Sequence, residues 1–164
     1  NMQLDRYTTK AQAAIQEAQR IAQQRSHQEI DGEHLLLALL GQGEGLIQPL
    51  LEELGVATTK LEQDLERELS RRHKVEGSGN TFIGSDLKKS LDTAEAEAGK
   101  LKDDFVSTEH LLLGLLQSSG SSLKKIFQSN ALHHGEVLKT LAEIRGNQRV
   151  TDKEPEGKFQ TREK

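Results

Sequence analysis

A chain of 164 residues, 34% hydrophobic and 29% charged, has the ordinary balance of one soluble domain or two very small ones, which excludes disorder throughout. A formal charge of −4, from 22 Lys and Arg against 26 Asp and Glu, supplies no general attraction to nucleic acid or anionic lipid, and 3% aromatic residues is too few for base stacking. With no cysteine there is no disulfide, thiolate metal site or Cys nucleophile, and the longest apolar run, Leu35 to Leu40, falls far short of the roughly 20 residues a membrane helix needs.

The chain opens without a signal-peptide pattern, and Asn1 ahead of Met2 reads as the remnant of a tag. Ala11, Ala14, Ile15, Ala18 and Ala22 then recur at helical spacing, behind Thr8 or Thr9 as N-cap, and predict a helix over 9–24. "EHLLLALL", from Glu33, is apolar around its whole circumference and belongs at the centre of a bundle, in a helix over 31–41. Further helices are predicted over 44–54, ended by Gly55, and over 58–70, on the stripe Leu61, Leu65 and Leu69. Residues 71–84, "RRHKVEGSGNTFIG", have no period and read as a polar linker.

The second half repeats the first. "EHLLLGLL" begins at Glu109, and the offset of 76 residues from Glu33 also superposes Ala18 on Ala94, Ile30 on Val106, Leu50 on Ile126 and Leu61 on Val137. A period this long with two copies is a duplicated four-helix unit. Its helices are predicted over 85–100 with Ser85 as cap, 107–117, 120–129 and 133–145. The fold expected is therefore all-α: eight helices in two pseudo-symmetric four-helix repeats, 5–70 and 85–145, within a domain spanning 1–146, followed by a polar connector, 147–164, with no buried stripe.

A Glu-His pair heads each copy of the phrase. Asp31 and Ser107 stand as N-caps, so Glu33 and Glu109 fall in the first turn, where negative charge suits the helix dipole, and His34 and His110 sit where a ring nitrogen can bond nearby backbone. No His-Glu-x-x-His spacing, ligand cluster, Walker A sequence or nucleophile–base set is present; "GQGEG" at Gly41–Gly45 joins two helices and reads as a turn. Glu95, Glu97 and Lys100 read as a solvated face and His133 and His134 as surface residues. No catalytic or metal residue is assigned, and the residues by themselves describe a binding module.

"LDRYTTKAQAAIQEAQRIA", "HQEIDGEHLLLALL", "PLLEELGV" and "VSTEHLLLGLL", in this order, resemble the duplicated N-terminal domain of the Clp/Hsp100 ATPases, and "RELSRRHKVEG" and the polar ending resemble its ClpB disaggregase branch. The resemblance implies a parent that forms a homohexameric ring, uses ATP and Mg in modules not in this chain, and threads aggregated polypeptide with the DnaK system in the cytoplasm or an organelle stroma or matrix. It implies that this domain, a monomer in isolation and without a cofactor or ATPase of its own, binds unfolded or aggregated polypeptides and neither nucleic acid nor membrane. Substrate contacts carry over to Thr8, Asp103 and Glu109, and the apolar groove of the fifth helix to Leu91 and Ala94, with His110 after Glu109; Thr93 and Glu97 make that groove more polar. The alternative within the same resemblance is an adaptor-docking module, as in the ClpC and ClpA branches.

Overall fold

The computed structural model describes residues 4–77, 79–146, 149–151 and 153–156. Among them, after a 3-10 turn at Leu4–Arg6, eight α-helices follow: α1 (Thr9–Gln24), α2 (Gly32–Leu40), α3 (Ile47–Glu53), α4 (Thr58–Ser70), α5 (Ser85–Lys100), α6 (Thr108–Gln117), α7 (Ser121–Ser129) and α8 (His134–Arg145). The fold is all-α as expected, and α1 and α5 begin and end 76 residues apart. Gly55 ends α3 at φ +75°, which its missing Cβ permits.

Two details lie outside the periodic reading. Strands β1 (Glu29–Ile30) and β2 (Phe82–Ile83) pair in parallel, Glu29 opposite Phe82 and Ile30 opposite Ile83, and a bridge joins Tyr7 to Val106. Two residues cannot display a period of two, so no alternation marked these strands. Under the repeat offset Tyr7 corresponds to Ile83 and Ile30 to Val106. Each repeat therefore pairs the residues leading into its first helix with the other repeat's residues leading into its second. The repeats are interlocked, and the linker 71–84 carries one of the locks.

α2 and α6 lie at the centre: Leu35, Leu36, Leu39, Leu40, Leu111, Leu112, Leu113 and Leu115 are all buried in one hydrophobic core with residues from the surrounding helices. Gly32 brings the halves together, because a Cβ there would meet Leu123 at 2.8 Å and Leu115 at 3.0 Å. The one letter that differs between the two phrases, Ala38 against Gly114, has a steric cause. A Cβ on Gly114 would stand 2.3 Å from the Ser90 carbonyl oxygen and 3.0 Å from the Ala94 Cβ, so α6 lies on α5 backbone to backbone.

Thr8 caps α1, its hydroxyl accepting from Ala11 N at 3.1 Å. Ser85, expected as the cap of α5, is instead its first residue, and Gly84 takes the cap position. A Cβ at Gly84 would meet the Glu29 carboxylate at 2.3 Å and Asp31 Oδ1 at 2.7 Å, so a side chain there would have to displace both carboxylates.

Candidate functional site

The head of the second repeat is a buried polar cluster. At the start of α6, His110 Nδ1 accepts from Ser107 N at 2.9 Å, which leaves Nε2–H to donate to Asp103 Oδ2 at 2.7 Å. Arg145, at the end of α8, donates to Asp103 Oδ1 at 2.5 Å and stands 3.9 Å from Glu109. Burial alone would raise the Asp103 carboxyl, but hydrogen bonds from His110, Arg145 and the Val150 amide outweigh it and hold it at about 2. Glu109 is fully buried, and no hydrogen-bond donor among the described residues reaches either of its oxygens.

The head of the first repeat has the same plan with different chemistry. His34 Nδ1 accepts from Asp31 N at 2.9 Å, and its Nε2 faces His27 Nδ1 at 2.9 Å. His27 is the repeat counterpart of Asp103, so where the second copy places a carboxylate the first places a neutral ring. Burial, then the neighbouring His27 and Arg72, lower His34 to about 3. Arg72, just beyond α4, plays the part of Arg145: it pairs with Asp31 and with Glu33 at 2.8 Å. Burial still pushes Asp31 up to about 6, against the pull of Arg72. Ser122 of α7 donates to Glu33 at 2.6 Å and ties the two repeats together here.

The segment after α8 closes over the second head. Read from sequence as a polar connector without a buried stripe, it buries Val150, Pro155 and Glu156, because isolated anchors show no period. Val150 N donates to Asp103 Oδ1 at 2.8 Å, and its carbonyl accepts from Asp104 N at 2.8 Å. Thr9 N donates to the Lys153 carbonyl at 2.9 Å. The Glu156 carboxylate accepts from Thr8 Oγ1 at 2.8 Å and from Thr108 N at 3.2 Å, which places it at the starts of α1 and α6 together. Burial, then the Glu109 charge, raise its carboxyl above the ordinary glutamate value, in part against those two hydrogen bonds.

A second feature is apolar. Leu4, Ile15, Ile30, Leu87 and Leu91 line a cavity of about 220 Å³ between α1 and α5, with Phe82 and Ile83 of β2 on its wall. Phe82 is the large hydrophobic left exposed among the described residues, at 53%. Isolated exposed hydrophobics need no explanation, but Phe82 is continuous with an apolar cleft.

The sequence-derived residues thus separate. Thr8, Asp103, Glu109 and His110 come together in the buried cluster beneath the strap, Leu91 reaches the apolar cavity, and Ala94 faces Gly114 in the seam of α5 and α6. Glu97, read as solvated, is buried: His134 stands 3.3 Å from it and Lys100 3.9 Å. It sits one turn beyond Ala94 on the face of α5 that packs inward. Arg145, Glu156 and Phe82 were not singled out from sequence. Phe82, beside Ile83 at the end of a largely polar linker, carried the one available signal.

Two interlocked four-helix repeats around two buried leucine helices, with an apolar cleft at their junction, define a duplicated all-helical domain. The model of the Clp repeat (R) N-terminal domain matches residues 6–130, and the chain belongs to that family. It is 37% identical over 167 residues to the chaperone protein ClpB of Bacillus cereus and 38% over 168 to that of Nitratidesulfovibrio vulgaris, with 99% of this chain aligned in each case. The chain spans 19% of the length of these relatives. The Hsp104 N-terminal domain from Candida albicans superposes with a TM-score of 0.80 at 22% identity, over 92% of this chain and 98% of that one. The N-domain of ClpV in complex with a VipB peptide superposes at 0.68 and 16% identity, over 90% and 92%. The helical architecture is that of the Clp and Hsp100 N-domains.

Proposed function

We propose that this chain captures extended apolar polypeptide segments for a ClpB-type chaperone. The observation that carries this reading is the cleft between α1 and α5: a cavity of about 220 Å³ walled by Ile15, Leu87 and Leu91, with Phe82 exposed beside it. Apolar side chains of an unfolded segment would leave water there, with roughly 25 cal/mol gained per Å² removed from solvent. The cleft is small and the ligand flexible, so one domain binds weakly, at micromolar concentrations or above. In a homohexamer six weak sites act together and raise the local concentration of substrate near the ring. ATP and Mg would act in the parent's ATPase modules, and the DnaK system would share the work of solubilising aggregates there. Of the residues carried over from the family, Leu91 would touch the ligand. Thr8, Ala94, Asp103, Glu109 and His110 would hold α1, α5 and α6 in the arrangement that forms the cleft.

Titration of isotope-labelled domain with a permanently unfolded model protein tests this reading. Amide shifts are expected at Ile15, Leu87, Leu91 and Phe82. Their absence at saturating substrate would overturn it, and shifts seen only with a folded partner protein would favour adaptor docking.

A further inference from the structure

We propose that the described residues 149–151 and 153–156 form a releasable latch, with the Glu156 carboxylate as its catch and the starts of α1 and α6 as its seat. This concerns a different face from the apolar cleft and does not depend on it.

The strap touches the domain at separated points. Val150 is buried, and its backbone is held by Asp103 and Asp104; Lys153 is held through its carbonyl by Thr9 N; Pro155 and Glu156 are buried. Arg149, Thr151, Lys153 and Glu154 between these anchors are exposed. The hydrogen bonds at Val150 and Lys153 use strap backbone, so they would hold many sequences. The side chain of Glu156 adds a contact that depends on its own chemistry: it spans α1 and α6, through Thr8 Oγ1 and Thr108 N.

The catch is also poorly satisfied. Glu156 Oε1 has no hydrogen-bond donor among the described residues, and neither does either oxygen of Glu109, the buried carboxylate that opposes its charge. Buried carboxylate oxygens are ordinarily paired, so an oxygen without a donor among the described residues counts against docking. Favourable bonds on one oxygen against an unpaired partner on the other leave docking close to balance, which is the condition for local release without global unfolding. When the strap lets go, Val150, Lys153 and Glu156 no longer hold the chain beside α1 and α6. Docked, the strap covers Thr8, Asp103 and Glu109; released, it uncovers them.

Hydrogen exchange on the full chain reads the latch directly. Glu156→Ala should speed exchange of the Thr9, Asp104 and Thr108 amides about tenfold. Tryptic cleavage after Arg149 and Lys153 should accelerate with it, while Leu36 and Leu112 in the central helices keep their protection. Val150→Asp, which sets a third carboxylate against Asp103 and Asp104, attacks the other anchor and should give the same pattern. Unchanged exchange at Thr9 and Thr108 in both variants would overturn the latch. So would parallel loss of protection at Leu36 and Leu112, which would make the strap an inseparable part of the fold.

Discussion

Asp103→Asn removes a charge and almost no volume, and so isolates the electrostatics of the second head. In the parent, Asp103 accepts from His110 at 2.7 Å, from Arg145 at 2.5 Å and from Val150 N at 2.8 Å, with its side chain wholly buried. Breaking a buried ion pair from one side costs about 3–5 kcal/mol, because the surviving charge is left without compensation. Arg145 keeps Glu109 at 3.9 Å, so the loss belongs at the lower end, about 3 kcal/mol. For a chain of this size that is a fall in Tm of roughly 6–12 °C, followed by far-ultraviolet circular dichroism. The pH dependence supplies the control. Asp103 titrates at about 2 in the fold against 3.8 ordinarily, a depressed value, so its stabilisation is complete above 3.8 and disappears as pH falls through about 2. The gap between parent and variant should hold from pH 7 to pH 4 and narrow below. A variant within about 0.5 kcal/mol of the parent at pH 7, or a gap as wide at pH 2.5 as at pH 6, would refute the reasoning.

Gly114→Ala forces a Cβ against the Ser90 carbonyl; overpacking of roughly 3 kcal/mol less about 1 kcal/mol of helix propensity leaves a net loss near 2 kcal/mol in urea denaturation, and a stabilised variant would contradict the close approach of α5 and α6. The reverse change at the equivalent position, Ala38→Gly, should cost only about 1 kcal/mol. Nitrogen-15 shifts of His34 should show a neutral ring with the proton on Nε2 from pH 8 down to pH 5, and titration near 6.5 would contradict its burial against His27. The Glu156 carboxyl is raised above its ordinary 4.5, so docking of the strap strengthens as pH falls from neutrality toward 4.5. Around that carboxyl stand the Thr8 hydroxyl from α1, the Thr108 amide and Glu109 from α6, and beyond Glu109 the Arg145–Asp103 pair, with Asp103 still ionised in that range. Protection factors at Thr9 and Asp104, corrected for intrinsic rates, should be higher at pH 5 than at pH 7.5.

The helices were legible because stripes such as Ala11, Ala14, Ala18 and Ala22 repeat at the helical period, and because the offset of 76 residues lets each half check the other. α3 begins at Ile47, later than its pattern suggested, since the turn Gly41–Gly45 runs on through Leu46. What stayed hidden depends on contacts distant in sequence. Nothing near Ser85 announces that the Glu29 side chain fills the space its cap position would need. Glu97 has a charged residue's letter and a buried residue's place, with the His134 side chain from the start of α8 3.3 Å from it. For the candidate site, the Glu-His heads were visible as helix starts. Their partners, Arg72 and Glu156 from beyond the last helix of each repeat and Arg145 at the final residue of α8, lie where no period points to them.

Substrate capture through the cleft of α1 and α5 stands or falls on Phe82. Its side chain is 53% exposed and bears little on the core, so Phe82→Ser should leave the fold intact while removing contact with a bound segment. Burying the exposed half of a phenylalanine is worth about 1 kcal/mol, or roughly fivefold in affinity. Fluorescence anisotropy with a labelled, extended apolar peptide measures this on parent and variant side by side. Binding should be about fivefold weaker for Phe82→Ser at unchanged Tm; equal affinity in the two proteins would contradict capture through this cleft.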